Sequence, residues 1–323
     1  MAGHQHVMYV PATLPVAIAH LSDIHIGPLV GLSPRFWNTK RALGFLNWHR
    51  KRRFVHRSEV ADRLVADLAQ QPLDHVAVSG DLANLGLPAE HERALAWLAK
   101  LGPPDRVSVV PGNHDIYAEL GGDQGPMRWL EFMQSDVSDE PLTSAASFPF
   151  VRRIGRIALI GINSAVPTPP AIAIGRVGAE QRARLGSMLE RLGADGYFRL
   201  VMIHHPPLPG HAKAHHELED AAEVERILVA HGAELVIHGH NHTSTTAWRQ
   251  AESGRPIAIV GVPSGSAARS IKGEPLARYH IYRIAPDAGS WRIDLEARGI
   301  EAPDGAVVPL GKIRLAAPIA SHV

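Results

Sequence analysis

Apolar segments of strand length alternate with amphipathic helical segments over most of this chain, and this alternation limits the folds open to it. The apolar segments predict strands at 16–21, 74–79, 106–110, 157–162, 198–203 and 235–238. Apolar residues at helical spacing predict helices at about 58–71, 88–100, 178–192 and 219–231. Beyond residue 255, the segments 257–262, 279–284 and 291–297 follow without helices between them, which predicts antiparallel strands. We expect an α/β fold whose sheets pack between helical layers.

The segment from Val109 to Asp115 breaks a predicted strand at Pro-Gly and then presents Asn113, His114 and Asp115 in succession. An amide oxygen can bind a metal cation, an imidazole can transfer a proton, and a carboxylate can hold that imidazole in one tautomer. A polar turn is an alternative interpretation, because Gly, Asn and Asp are common in turns. The rest of the chain decides between the two.

Side chains that can bind a metal follow the ends of five predicted strands. They are Asp23 and His25, Asp81, Asn113 and His114, His204, and finally His240 and His242. In α/β sheets, ligands gather at the carboxyl ends of strands, so residues that are far apart in sequence can converge there. Because the chain has no cysteine, a metal would be bound by oxygen and imidazole ligands alone. The sequence therefore predicts one metal site at this edge of the sheets.

The ordered motifs Asp-x-His, Gly-Asp, Gly-Asn-His-Asp, His and Gly-His-x-His resemble those of the calcineurin-like metallophosphoesterase family over residues 16–265. This resemblance implies a four-layer α-β-β-α sandwich with two mixed β-sheets. It also implies hydrolysis of phosphoester bonds by water activated at a dinuclear metal centre. We interpret residues 1–323 as a single domain of this kind, with an insertion at about 29–57 and a mainly β part at about 255–323.

The same resemblance assigns a role to each motif residue. The first ion would be bound by Asp23, His25, Asp81 and His242. The second would be bound by Asn113, His204, His240 and the shared Asp81. His114 would stabilise the transition state or protonate the leaving group, and Asp115 would orient it. Such oxygen and imidazole ligands suit manganese, iron, zinc and cobalt alike.

The insertion at about 29–57, called the basic insertion below, has an unusual composition. It contains no acidic residue, and its basic residues are Arg35, Lys40, Arg41, Arg50, Lys51, Arg52, Arg53 and Arg57. Aromatic residues are interleaved, and their spacing places Trp37, Phe45 and Trp48 on one helical face. Three interpretations remain open: a solvated helical insertion, a lid over an anionic substrate, and a surface that contacts acidic phospholipids.

Composition and charge limit the binding partners and the cellular location that we expect for this chain. The formal charge is only +1 at pH 7, so we expect no nucleic-acid partner. Pro11 and Pro15 interrupt the apolar residues near the amino terminus, so we expect no signal peptide. No apolar stretch approaches the roughly 18 residues of a spanning helix. We expect a cytoplasmic enzyme that can contact the inner membrane face through the basic insertion.

The motifs also bear on the substrate. His-His-Pro-Pro and Gly-His-Asn-His are similar to those of bacterial phosphodiesterases that act on cyclic nucleotides and glycerophosphodiesters. A lipid-linked nucleotide pyrophosphate such as UDP-diacylglucosamine is the alternative substrate, because a similar basic insertion follows Asp-x-His in some pyrophosphohydrolases. A phosphomonoesterase and a non-catalytic scaffold are further alternatives. We expect His205, Arg41 and Asn84 to contact the substrate, and we prefer His204 to His205 as a metal ligand because the family pattern is His-x-Pro.

Overall fold

The computed structural model describes residues 15–119, 122–136, 142–144 and 147–317. Within them, twelve strands form two six-stranded mixed sheets. Strands β1 to β6 span Val16–Leu21, His75–Val78, Val107–Val109, Phe150–Ile154, Ile157–Gly161 and Phe198–Met202. Strands β7 to β12 span Leu235–His238, Thr245–Gln250, Pro256–Gly261, Arg278–Asp287, Ser290–Ile300 and Val307–Arg314. Residues 1–14, which carry part of the signal-peptide expectation, lie outside the described residues.

Six α-helices accompany these strands within the described residues. Helices α1 to α6 span Thr39–Asn47, Arg53–Val55, Ser58–Leu68, Pro88–Leu101, Ala179–Ala194 and Ala221–His231. A π-helical turn, Trp48–Arg52, joins α1 to α2 inside the basic insertion. Helices α3 to α6 confirm the four helices predicted from apolar spacing, and their ends lie within three residues of the predicted ones.

The first sheet has the strand order β12-β11-β10-β1-β2-β3. Strands β1, β2 and β3 are parallel, whereas β10 is antiparallel to β1 and continues into the antiparallel strands β11 and β12. The antiparallel prediction for 279–284 and 291–297 is thereby confirmed. The last strands of the chain complete the sheet that its first strand begins.

The second sheet has the strand order β4-β5-β6-β7-β9-β8. Strands β5, β6, β7 and β9 run parallel, and the edge strands β4 and β8 are antiparallel to their neighbours. The expectation that 257–262 is antiparallel holds for its pairing with β8, whereas its other neighbour, β7, lies parallel to it. Strand β8 lies between β7 and β9 in the chain. The chain reverses direction before β8 and again after it, so β9 runs in the same direction as β7.

The two sheets pack against each other through alternate side chains. Phe198, Leu200 and Met202 of β6 are buried in the core between the sheets, whereas Val201 packs in a second core with apolar residues of α5 and α6. Helices α3 and α4 contribute apolar side chains to the cluster that contains the first sheet. Each fully buried large apolar side chain contributes about 1.5–3 kcal/mol. The structure confirms the α/β class and the four-layer sandwich.

Candidate metal centre

The carboxyl ends of β1, β2, β3, β6 and β7 meet at one edge of the two sheets, and the metal-binding side chains predicted from the sequence converge there. A first group brings together Asp23, His25 and His242. His242 Nε2 lies 3.1 Å from Asp23 Oδ1 and 3.4 Å from His25 Nε2. All three side chains are buried or nearly so. One carboxylate and two imidazoles that face one point can hold a cation.

A second group lies beside the first. His204 Nε2 is 3.1 Å from Asn113 Oδ1, and His240 Nδ1 is 2.9 Å from the same oxygen. The two imidazole nitrogens are 3.2 Å apart. An amide oxygen and two imidazoles therefore face a second point, and these ligand types suit several transition-metal ions.

Asp81 lies between the two groups. Its Oδ2 is 3.8 Å from His25 Nε2 and 3.6 Å from His204 Nε2, one ligand from each group. Its Oδ1 accepts a hydrogen bond from the His114 backbone N–H at 2.7 Å. A carboxylate in this position can serve both cation sites at once.

The outer nitrogens of the four histidines show that this donor set fits metal ions. Nδ1 of His25 bonds the Ala83 carbonyl, Nδ1 of His204 bonds the Ser79 carbonyl, and Nε2 of His240 bonds the His216 carbonyl. Nδ1 of His242 bonds the Glu274 carboxylate at 3.2 Å. Because each outer nitrogen donates its proton outward, each inner nitrogen keeps a lone pair for a cation. Glu274 was not predicted from the sequence, since its motif-free loop gives no signal.

The backbone at these strand ends is held in an uncommon conformation. Of the eight non-glycine residues with positive φ in the described part of the chain, five are predicted ligands: Asp23, His25, Asp81, His240 and His242. Such conformations cost roughly 1 kcal/mol or more each and persist where the surroundings impose them. Gly112 supports the same geometry, because a Cβ there would collide with the Asp81 carboxylate and lie 2.8 Å from His204 Cε1.

The buried charges of the centre depend strongly on one another. Burial, and next the charge of Asp23, raise the pKa of Asp81 to about 8. Burial opposes ionisation of Asp23 as well, but His242 holds the pKa of Asp23 well below its usual range. Burial also disfavours a charged His242, yet Asp23 and Glu274 raise its pKa to about 9. Cation binding at this centre is therefore coupled to proton release.

The expected contact between Asp115 and the His114 imidazole is wrong. The Asp115 carboxylate accepts hydrogen bonds from the backbone N–H groups of Asp81, Leu82, Ala83 and Gly112, at 2.8–2.9 Å. These four donors occupy both carboxylate oxygens, so Asp115 ties the β2 loop to the β3 loop. His114 is instead oriented by the Asn84 carbonyl, which lies 2.6 Å from its Nδ1.

A second carboxylate fixes the loop that carries this carbonyl. Glu90 accepts hydrogen bonds from the backbone N–H groups of Asn84, Leu85 and Leu87 at 2.9–3.0 Å. Its position in the first turn of α4, two residues after Pro88, is the signature of a helix N-terminus. That signal is present in the sequence, and it identifies Glu90 as part of the support of His114.

The three predicted substrate contacts have different outcomes. Arg41 is buried and donates to the carbonyls of Leu85, Gly86 and Phe36, so it anchors the basic insertion and does not face the cleft. His205 is also buried, with its ring nitrogens at Ser164 Oγ and the Ala173 carbonyl. Asn84 does line the cleft above the centre. Its Nδ2 donates to the Ile26 carbonyl.

That cleft has a volume of about 400 Å³ and lies between the strand ends and the basic insertion. The insertion contributes Lys40, Gly44, Asn47, Trp48 and Arg52 to its lining. The segments around Ile172 and His216 form much of the opposite wall. Arg52 reaches furthest into the centre, with Nη1 at 2.7 Å from His114 Nε2 and Nη2 at 2.9 Å from His25 Nε2. Nothing in the sequence distinguishes Arg52 from the neighbouring basic residues.

The chain belongs to the calcineurin-like phosphoesterase family, whose model matches residues 16–244. It is therefore a metallophosphoesterase, a hydrolase of phosphoester bonds, as the sequence motifs predicted. The family uses a dinuclear metal centre, and the two groups of histidines and carboxylates described above are candidates for it.

Two relatives are similar to this chain in sequence, and one solved structure is similar to it in fold. The chain is 29% identical over 236 residues to a probable cyclic nucleotide phosphodiesterase of Synechococcus sp., covering 72% of this chain and 80% of the relative. It is 28% identical over 298 residues to a glycerophosphodiester phosphodiesterase of Enterobacter lignolyticus, covering 86% and 94%. A dimetal phosphatase from Danio rerio has the same fold, with a TM-score of 0.61 at 14% identity and coverage of 94% and 99%.

No helix among the described residues combines the length and the apolar character needed to cross a bilayer.

Proposed function

We propose that this chain is a phosphodiesterase that binds two metal ions at the ends of β1, β2, β3, β6 and β7. The observation that carries the proposal is the position of Asp81, whose carboxylate lies between two separate groups of inward-facing ligand atoms. The names of the two relatives support a diester substrate. The cleft above the centre has room for a second ester group beside the scissile phosphate.

In this proposal the ligand roles follow the two groups. The first ion is bound by Asp23, His25, Asp81 and His242. The second is bound by Asn113, His204, His240 and Asp81. When bound, the two ions supply an activated water and neutralise charge on the phosphoryl oxygens. Glu274 increases the basicity of His242, and the carbonyls at the outer nitrogens fix the rings of the other histidines.

His114 is the proposed proton carrier of the leaving group. Its Nδ1–H donates to the Asn84 carbonyl, which leaves Nε2 directed at the cleft. Burial, and next the charge of Arg52, lower the pKa of His114 well below its usual range. An anionic substrate beside Arg52 would offset that charge and favour uptake of a proton at Nε2.

The test uses metal-stripped protein reloaded with manganese and compares bis-p-nitrophenyl phosphate with p-nitrophenyl phosphate. We expect the diester to be the better substrate, and Asp81→Ala to lower its kcat/KM by about 100-fold or more with loss of bound metal. Asp105→Ala, at an exposed carboxylate, is the matched control and should change neither. Preference for the monoester would contradict the proposed phosphodiesterase activity. Full activity of Asp81→Ala would contradict the proposed role of Asp81 as a ligand of both metal ions.

A lipid-linked pyrophosphate is a second candidate substrate, and one observation favours it. Among the described residues, most of the exposed large apolar side chains lie in the basic insertion: Leu32, Trp37, Leu43, Leu46 and Phe54. Exposed basic side chains lie next to them in the chain, including Arg50, Lys51 and Arg53. A surface that combines both suits the inner face of an anionic membrane. It would bring a cytoplasmic enzyme to a substrate held in the bilayer.

Co-sedimentation with vesicles of phosphatidylcholine, with and without phosphatidylserine, tests this candidate. Wild type should pellet with the anionic vesicles, and the variant Arg50→Gln/Lys51→Gln should do so about 30-fold less well, since each of the two basic residues adds about 1 kcal/mol. The control variant Arg226→Gln/Arg255→Gln removes two exposed charges outside the insertion. Equal pelleting of both variants and wild type would rule out membrane contact through these basic residues.

A further inference from the structure

Arg52 is the residue through which the basic insertion enters the candidate metal centre. It ends the π-helical turn that follows α1. Its guanidinium lies against two imidazoles: Nη1 is 2.7 Å from His114 Nε2, and Nη2 is 2.9 Å from His25 Nε2. Wide π-helical turns are rare and often occur at functional sites. In this chain the turn ends at Arg52, whose side chain points toward the centre from within the charged run at 50–53.

The surrounding structure holds the segment in place from both sides. On its amino-terminal side, Arg41 donates to the carbonyls of Leu85 and Gly86 beside α4. On its carboxyl-terminal side, the Val55 carbonyl accepts from the Ala268 N–H, and the Arg57 N–H donates to the Ser266 carbonyl. Because both sides are anchored, the position of Arg52 in the cleft is defined by the fold.

The charge balance of the centre indicates what such an arginine is for. Two divalent cations would outweigh the charges of Asp23 and Asp81, so a guanidinium beside them is repelled unless an anion lies between. A phosphoester supplies that anion. Lys40, another cation lining the cleft, does not serve in the same way, because its Nζ donates to Thr168 Oγ1 and the Ile172 carbonyl.

We propose that Arg52 binds the non-bridging oxygens of the substrate phosphate, opposite the two metal ions. This inference rests on the proposed function. The planar guanidinium can give two parallel N–H donors to two phosphoryl oxygens, which an ammonium group cannot do. The contact also removes the guanidinium from His25 Nε2, the nitrogen that faces the first ion. Arg52 is thus a phosphate-binding residue that the insertion contributes to the centre.

Binding of inorganic phosphate to manganese-loaded protein, measured by calorimetry, tests the proposal without depending on turnover. We expect Arg52→Met to weaken phosphate binding by about 30-fold and Arg52→Lys to fall between Arg52→Met and wild type. Both variants should retain two manganese ions per chain and unfold near the wild-type temperature. Arg53→Met is the matched control, because the neighbouring Arg53 is exposed and lies over the Phe54 ring.

The outcomes separate this inference from the proposed function. Phosphate affinity of Arg52→Met within twofold of wild type, at full metal content, would overturn the phosphate contact. Tighter manganese binding by Arg52→Met with unchanged phosphate affinity would also overturn it, because Arg52 would then act only as a counter-ion of the carboxylates. If wild type binds two metals and phosphate but hydrolyses no diester, the proposed function fails while the comparison of phosphate affinities still decides the role of Arg52.

Discussion

The metal centre and the basic insertion face each other across one cleft, yet they are built in opposite ways. In the centre, the predicted ligand side chains are buried or nearly so, three of the four histidines bond backbone carbonyls through their outer nitrogens, and five of the ligand residues have positive φ. The insertion is half exposed, carries apolar and basic side chains on its surface, and is anchored at its two ends, by Arg41 and by the backbone of Val55 and Arg57. The centre is thus built from fixed positions at the strand ends, whereas the insertion adds side chains to the cleft lining from an attached helical segment.

The largest expected difference between the two regions concerns an added methyl group. Gly112→Ala places a Cβ against the Asp81 carboxylate and backbone, neither of which can move, so we expect loss of bound metal and about 100-fold lower kcat/KM for the diester. Gly44→Ala in the insertion meets the Tyr117 hydroxyl and a Leu85 methyl, side-chain ends that can shift. It should keep both metals and lose less than tenfold. Metal content and diester kinetics of the two variants check this, and similar losses would contradict the contrast.

A smaller difference is expected when one anchor is removed from each region. Asp115→Asn keeps the shape but turns an NH₂ group toward backbone N–H donors, and we expect it to lower the free energy of unfolding by about 3 kcal/mol. Arg41→Met removes three bonds to carbonyls at the base of the insertion and should cost about 1.5 kcal/mol. Urea unfolding of metal-free protein measures both. A greater loss for Arg41→Met would reverse the comparison.

The smallest effect is a pH dependence that arises beneath the centre. Burial lowers the pKa of His91 to about 4, and its Nε2 donates to the Asp115 carbonyl. The unfolded chain takes up a proton at this residue below about pH 6.5, but the folded chain does so only near pH 4, so stability falls as the pH falls through this range. Between pH 7 and pH 6 the loss is about 0.7 kcal/mol.

His91→Gln keeps a donor without a titrating group and should therefore show a flatter pH profile of unfolding than wild type. His49→Gln, at an exposed histidine of the basic insertion, is the control and should follow wild type. If the free energy of unfolding of His91→Gln changes with pH as steeply as that of wild type, the pH dependence arises from another residue.

The sequence predicts most of this architecture because buried parallel strands are continuous apolar segments. It does not predict β4, β8 and β12, which occupy three of the four sheet edges. Edge strands are partly solvated, so segments such as Phe150–Ile154 carry charged residues and lack a continuous apolar pattern. The direction of β9 follows from β8, and one missed edge strand therefore left the parallel pairing of β9 with β7 unpredicted.

The side chains of the candidate site were likewise predictable from the sequence only in part. Residue types at strand ends indicated which side chains converge, because metal ligation admits few of them. They could not indicate the partner of Asp115, since any carboxylate can accept from backbone N–H groups as well as from an imidazole. Nor could they select Arg52 from a run of basic residues, because a single π-helical turn determines which of them points inward.

The positive φ angles at Asp23, His25, Asp81, His240 and His242 have a consequence for protein engineering. The same side chains grafted onto regular strand ends of another scaffold would point elsewhere, because the left-handed backbone turn sets their direction. Transplanting this centre would require copying five loop backbones together with Gly112 and the carboxylates of Asp115 and Glu90. The transferable unit of this enzyme is thus a set of loops, and the seven proposed ligand side chains alone would not reproduce it.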